Sequence, residues 1–398
     1  MLKRTIGLLL ICIFVSAPAL AKKKEILPSE QAVFHNNRGI SYLNQGDLDK
    51  AIFEFQTAIE LAPDYAEPYN NLGIVSKIKG EMDKAISYFL QSASKDKKYS
   101  SPHSHLAAVY TAQERLNDAM REAKLSVKID PLSADAHYNL GLVWIEKNNK
   151  EQKTKYLNEA EKEFKKTTVL NPNLEPVHLR LAAMYAEAGK YDLAIVRYRL
   201  ALNISNSPDV WEKLGNLYLA IGDPFKAQNC FQKAIELNPD SEGAHVQLGT
   251  FYLNQKRFDE ALAEFQQVIA INPKNEAAYF RLGTLKMDQG TYAEALDYLK
   301  KAKEINPGYV DDIYNLGYVY LKLGKTDQAR EEWENLLTLK PDYPRAAYNL
   351  GLLAAKTGKV DAAKKYYCGF LKNANGNFPA EEELAKQFLE EKNISCQN

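Results

Sequence analysis

The sequence predicts an all-α protein: an α-solenoid of ten stacked helix-turn-helix units closed by one further helix. Three observations predict it. A residue pattern returns every 34 positions, small and bulky side chains stand at fixed offsets within that period, and glycine and proline punctuate it.

The period is marked by a small residue at Gly39, Gly73, Ala107, Gly141, Ala182, Gly215, Gly249, Gly283, Gly317 and Gly351. Successive separations are 34 residues, except 41 after Gly141 and 33 after Ala182. Twelve positions beyond each stands an alanine, from Ala51 to Ala363, with 19 positions in the fourth unit. Four residues later a bulky side chain follows in nine of the ten units, among them Phe55, Phe89, Phe164, Phe231, Phe265 and Trp333; the exception is Ala123.

Each mark has a physical reason. Gly39 and Tyr42 lie three apart, as do Gly215 and Tyr218, so each pair shares one face of a first helix. Ala51, Phe55 and Ala58 lie on one face of a second helix. The small residues let two helix backbones approach, and the aromatic ring fills the space beside them. Gly46, Gly80, Gly189, Gly222, Gly290, Gly324 and Gly358 fall where a left-handed residue ends the first helix. Seven units close on a proline, from Pro63 to Pro341, which ends the second helix and turns the chain onward. No such unit buries its own core, so stability comes from stacking neighbours.

In its spacing and its small and bulky positions the chain resembles the tetratricopeptide repeat family over residues 32–377. The resemblance implies a right-handed superhelix of ten repeats, at 32–65, 66–99, 100–133, 134–174, 175–207, 208–241, 242–275, 276–309, 310–343 and 344–377. Residues 1–21 are expected to be a signal peptide, 22–31 a linker, and 378–398 a capping helix and tail. In that helix Leu384, Phe388 and Leu389 are expected to cover the last repeat, with Glu381, Glu382 and Glu383 charging its first turn favourably. The seven residues added to the fourth repeat amount to about two helical turns. They are expected to lengthen its helices, the alternative being a basic lip at Asn148–Lys155.

The expected signal peptide has Lys3 and Arg4, an uncharged apolar run from Ile6 to Val15, Pro18, and a small-x-small step at Ala19-Leu20-Ala21. The run is shorter than the roughly twenty residues of a membrane-spanning helix. Export to a periplasm follows, with anchoring by an uncleaved or lipidated segment as the alternative; Cys12 lacks the small preceding residue that lipidation wants, having Ile11 there. Beyond residue 21 the cysteines are Cys230, Cys368 and Cys396. In an oxidising compartment Cys368 and Cys396 can close a short loop; three free thiols are the alternative.

Charge and motifs narrow the function. The chain has 51 basic and 51 acidic side chains, and loss of Lys3 and Arg4 with the signal leaves a net charge of −2. Nucleic-acid binding lacks its usual basic surplus. There is no zinc-protease or nucleophile-elbow motif. Gly317 to Thr326 ends in Gly324-Lys325-Thr326, but its glycines are too far apart for a phosphate loop. His35, His103, His137, His178 and His245 share the fourth position of their repeats with Tyr69, Trp211 and Tyr279, so a packing role explains them. His103 and His105, two apart on a helix, cannot converge on one metal. No catalytic residue, cofactor or metal is expected.

Positions 2, 6, 9 and 13 of each repeat form one stripe on the first helix, and the resemblance implies that it lines a concave groove. Position 6 reads Asn37, Asn71, His105, Asn139, Arg180, Lys213, Gln247, Arg281, Asn315 and Asn349, all polar. The five asparagines are similar to an asparagine ladder in the family, whose amides hold the backbone of an extended peptide. Arg180, Lys213 and Arg281 suit carboxylates; the carboxylate clamp of heat-shock co-chaperones uses other positions and is missing here. Position 9 is apolar at Ile40, Ile74, Leu142 and Leu352 and polar at Asn216, Thr250 and Thr284. The expected function is a non-enzymatic scaffold binding an extended peptide or protein segment in the groove and assisting assembly of a periplasmic or outer-membrane complex. Nucleic acid and small-molecule substrates are not expected as partners, and membrane association is expected only through partners. The alternative is a regulatory adaptor docking a separate periplasmic protease or cell-wall enzyme.

Overall fold

The computed structural model describes residues 28–396; the expected signal peptide lies outside them. The described residues contain 21 helices and no strand, and they fall into two compact units that divide between Asn173 and Leu174.

The first unit holds α1 (Glu30–Asn44), α2 (Leu48–Leu61), α3 (Ala66–Ile78), α4 (Met82–Lys95), α5 (Ser101–Ala112), α6 (Leu116–Ile129), α7 (Ala134–Glu151) and α8 (Thr154–Leu170). The second holds α9 (Glu175–Glu187), α10 (Tyr191–Ile204), α11 (Pro208–Ala220), α12 (Pro224–Leu237), α13 (Glu242–Asn254), α14 (Phe258–Ile271) and α15 (Glu276–Asp288). It continues with α16 (Tyr292–Ile305), α17 (Val310–Lys322), α18 (Thr326–Leu339), α19 (Pro344–Lys356), α20 (Val360–Ala374) and α21 (Pro379–Glu391). Within each unit the helices pack in successive pairs, and each pair packs on the next, which is an α-solenoid.

One local device ends the first helices. Gly46 takes φ 79°; its N–H donates to Leu43 O at 3.0 Å and the N–H of Asp47 donates to Tyr42 O at 3.0 Å. This is the two-bond Schellman closure, and it satisfies carbonyls that the helix end would orphan. The six other glycines predicted for these turns share the conformation, with φ from 69° to 78°. Where glycine is missing, Glu114, Gln152 and Lys256 take φ 58°, 52° and 59° instead.

The pairs close on the small residues. A Cβ on Gly39 would lie 2.6 Å from Phe55 Cε1, and one on Gly351 would lie 2.6 Å from Tyr367 Cδ1. Glycine is therefore what lets a full ring rest on the first helix. Phe55, Phe89, Phe164, Phe231, Phe265 and Trp333 are all fully buried, each contributing about 1.5–3 kcal/mol of transfer free energy. The third pair departs from this rule on both sides at once: Ala107 stands where most pairs have glycine, and the facing Ala123 is small, both fully buried in one cluster.

The insertion in the fourth repeat lengthens both helices, to 18 and 17 residues against 13 and 14 in the second pair. Trp144, at position 11 of the repeat, stacks on Tyr156 in the first turn of the lengthened second helix, at 5.4 Å. Helix α21 covers the tenth pair, with Ala385 and Leu389 buried and Phe388 5.3 Å from the Tyr367 ring. Leu384, expected to face inward, is 55% exposed. The helix turns positions 385, 388 and 389 toward the repeat, and position 384 lies about 100° round from 385. A disulfide joins Cys368 on α20 to Cys396, with Cα atoms 5.5 Å apart, while Cys230 is free and buried. Burial also pushes the Cys230 thiol up to about 11, away from nucleophilic use.

Candidate functional site

The stripe residues sit on the first helix of every pair. In the first unit, Asn37 on α1 is exposed, while Asn71 on α3 is buried. Asn71 donates from Nδ2 to Oδ1 of Asn36 at 2.9 Å, and Asn139 on α7 donates likewise to Oγ of Ser104 at 2.7 Å. In the second unit, Asn349 on α19 reaches the hydroxyl of Tyr314 at 3.5 Å. In all three cases a position-6 amide reaches position 5 of the preceding repeat, so these amides also stitch successive first helices together. Asn71 and Asn139 therefore have part of their donor capacity engaged inside the fold.

His105 follows another path. Its ring lies 5.2 Å from the Phe89 ring, stacked at 25°. Burial, helped by Lys77, lowers its pKa to about 4, so it is neutral at pH 7.

The second unit places Arg180 on α9, Lys213 on α11 and Arg281 on α15, all exposed. Among the described residues none of these three cations has a carboxylate oxygen within ion-pair distance. Gln247 on α13 and Asn315 on α17 are half-buried in the same row. Asp209 and Asp311 at position 2, and Glu187 and Asp288 at position 13, flank the row, while Arg345 at position 2 and Lys322 and Lys356 at position 13 add exposed cations in the last two repeats. Thr250 and Thr284 at position 9 return their hydroxyls to Val246 O and Arg281 O, at 2.8 and 3.0 Å.

Four of the five fourth-position histidines do more than fill an aromatic slot. Their Nδ1 atoms lie 2.6 Å from Glu54 for His35, 2.7 Å from Glu122 for His103, 2.5 Å from Glu163 for His137 and 2.6 Å from Glu264 for His245. The partner is always on the second helix of the same repeat, 19 residues later, or 26 where the insertion intervenes. That constant offset was visible in the sequence, though it acquires meaning only when the two helices are packed. His245 also places Nε2 2.9 Å from Pro239 O, the place taken by the hydroxyl of Tyr69 donating to Pro63 O at 3.1 Å. With acceptors at both ring nitrogens, His245 is best satisfied as imidazolium; the hydrogen bond to Glu264 and that to Pro239 raise its pKa against the opposing effect of burial. The same hydrogen bond from His103, aided by Arg121, holds the Glu122 carboxyl below its ordinary range.

These pairs are structural ties. Among the described residues no group of three His, Cys, Asp or Glu side chains comes together to hold a metal ion, and no helix is long and apolar enough to cross a membrane. Gly324 and Lys325 lie in the turn between α17 and α18, with Gly324 at φ 74°, and Thr326 opens α18.

One feature near the end of the stripe was not read from the sequence. In the second unit Tyr314, Arg345, Tyr348, Phe370 and Phe378 border an open cavity of about 290 Å³, together with Asn349 and Glu381. Arg345 and Asn349 are positions 2 and 6 of the tenth repeat, while Phe378 and Glu381 belong to the capping segment, which carries no periodic signal.

Profiles of the tetratricopeptide repeat match residues 66–98, 218–285, 286–336 and 314–378, and a TPR repeat profile matches 39–77. Together they span more than half of the chain. The unmatched stretch between them holds the departures already described: the Ala107–Ala123 pair, the insertion and Ala182. No curated protein matches the chain. Among solved structures, a MamA protein is 25% identical with a TM-score of 0.40, the match covering 42% of this chain and 92% of that one. YrrB, described as a TPR protein with an unusual peptide-binding site, is 22% identical with a TM-score of 0.41, covering 49% and 97%. PilF of Pseudomonas aeruginosa is 20% identical with a TM-score of 0.43, covering 54% and 94%. Repeats of this kind build protein–protein interaction scaffolds, and the chain belongs to the tetratricopeptide repeat family.

Proposed function

We propose that the chain is a non-enzymatic, exported scaffold that binds an extended acidic segment of a partner protein along the position-6 row, and that it assists assembly of a periplasmic or outer-membrane complex. The observation that carries this reading is the row of exposed cations Arg180, Lys213 and Arg281 on first helices of one unit, none held by a carboxylate among the described residues. A cation without an internal partner is free to meet a carboxylate, and an arginine does so through two parallel hydrogen bonds. The half-buried amides of Gln247, Asn315 and Asn349 continue the row with groups that can both donate and accept. Export is supported by the pattern of Lys3, Arg4 and Ala19-Leu20-Ala21 and by the Cys368–Cys396 disulfide, a bond that persists in oxidising compartments.

The test is anisotropy of a labelled, extended, Glu-rich peptide titrated with the chain lacking residues 1–21, wild type and Arg180→Ala/Lys213→Ala/Arg281→Ala. Loss of three exposed charge contacts at about 0.2–1 kcal/mol each predicts a weakening of about threefold to a hundredfold, shrinking as salt is raised. Equal affinity for the two proteins refutes the electrostatic reading. Docking through the fourth repeat instead would be lost on deletion of residues 148–155 and untouched by the triple substitution.

A further inference from the structure

The cavity in the second unit lies where the position-2 and position-6 rows meet the capping segment. Its walls are rings: Tyr348 lies 5.2 Å from Phe370, and Phe370 lies 6.1 Å from Phe378. At about 290 Å³ it is at the small end of ligand sites, sized for a side chain. Two opposite charges stand at it. The Arg345 guanidinium lies 5.6 Å above the Phe378 ring, and among the described residues neither Arg345 nor Glu381 forms an ion pair. A peptide unit offers one N–H donor and one C=O acceptor. Glu381 supplies the acceptor for the first and Arg345 the donor for the second, so the polar chemistry matches a neutral backbone and the rings match an aromatic side chain.

We propose that this cavity anchors an aromatic side chain of an extended peptide, whose backbone is held between Arg345 and Glu381. The Cys368–Cys396 disulfide holds one wall in place. Phe378 and Glu381 both lie inside the loop that it closes between cysteines 28 positions apart. The direction of the rest of the peptide rests on the groove reading above; the anchor itself does not.

The experiment uses two capped probes, a Ser/Glu decapeptide and the same peptide with one serine replaced by phenylalanine. Each is titrated calorimetrically into the chain lacking residues 1–21. Burial of one ring predicts about tenfold to a hundredfold tighter binding of the phenylalanine probe. That gain should vanish in Phe378→Ala and in Arg345→Ala, the latter an exposed side chain whose loss leaves the core intact, and shrink in Cys396→Ser. Equal binding of the two probes overturns the anchor while leaving the groove standing, and a gain that survives both Phe378→Ala and Arg345→Ala overturns it too. A gain intact in Cys396→Ser overturns the role of the disulfide. Pocket-dependent binding of the phenylalanine probe that ignores Arg180, Lys213 and Arg281 supports the anchor and refutes the groove; no binding of either probe refutes both.

Discussion

Replacing Asp312 by alanine should stabilise the ninth repeat, and more so as pH rises. Asp312 is the third residue of its repeat, a position that six other repeats fill with buried Ala136, Val177, Val210, Ala244, Ala278 and Ala346. It has no solvent exposure, and as a carboxylate neither oxygen finds a donor; only the protonated acid can hydrogen-bond the neighbouring Glu276 carboxyl. Burial, with the neighbouring carboxyl of Glu276 and then Asp311, raises its pKa from 3.8 to about 8. Below about pH 4 the folded and unfolded chains both hold this proton. As pH rises the unfolded carboxyl ionises while the folded one stays protonated, so stability falls by about 1.4 kcal/mol per pH unit until it levels near pH 8. At pH 7 the full penalty is about 4 kcal/mol, and relaxation around the site makes about 2–4 kcal/mol the expected gain for Asp312→Ala. Trp333, fully buried on the second helix of the same repeat, is the local reporter. Urea unfolding followed by its fluorescence, in a Trp144→Phe/Trp211→Phe background, isolates this region from the rest of a repeat array that need not unfold in one step. The gap between variant and parent should be small at pH 4.5 and widen by at least about 1.5 kcal/mol at pH 7.5. A gap that does not change with pH, or a variant less stable than its parent at pH 7.5, refutes the reasoning.

Two further substitutions test the packing rules. Gly39→Ala forces a Cβ within 2.6 Å of the Phe55 ring and should cost about 1–3 kcal/mol in urea unfolding. In a Phe55→Ala background the same change should cost much less, as the natural Ala107–Ala123 pair implies, and additive costs would contradict the contact. Lys256→Gly should raise thermal stability by about 1 kcal/mol, because Lys256 holds φ 59° at a turn where most repeats have glycine; an unchanged or lowered midpoint would count against left-handed strain there.

What the sequence by itself determined is what repeats locally. The pairing of Gly39 with Phe55, the left-handed Gly46 and the turn beyond Pro63 all act within one helical hairpin, so a residue pattern states them without coordinates. The lengthening of α7 and α8 was legible for the same reason, because extra residues that keep helical phase have nowhere else to go. Tertiary structure decided everything that joins one helix to a distant one. Asn71 looks like its row-mates in sequence, yet it is buried because Asn36, 35 residues earlier, packs against it. Four of the five histidines read as ring fillers became His–Glu ties once the second helix lay alongside the first. Leu384 faced solvent while Ala385 faced inward, since a lone capping helix has no repeat to set its phase. The aromatic cavity needs α17, α19, α20 and a disulfide-closed tail to meet. A period records which contacts recur, and the Arg345, Phe378 and Glu381 cluster occurs once, at the place where the repetition stops.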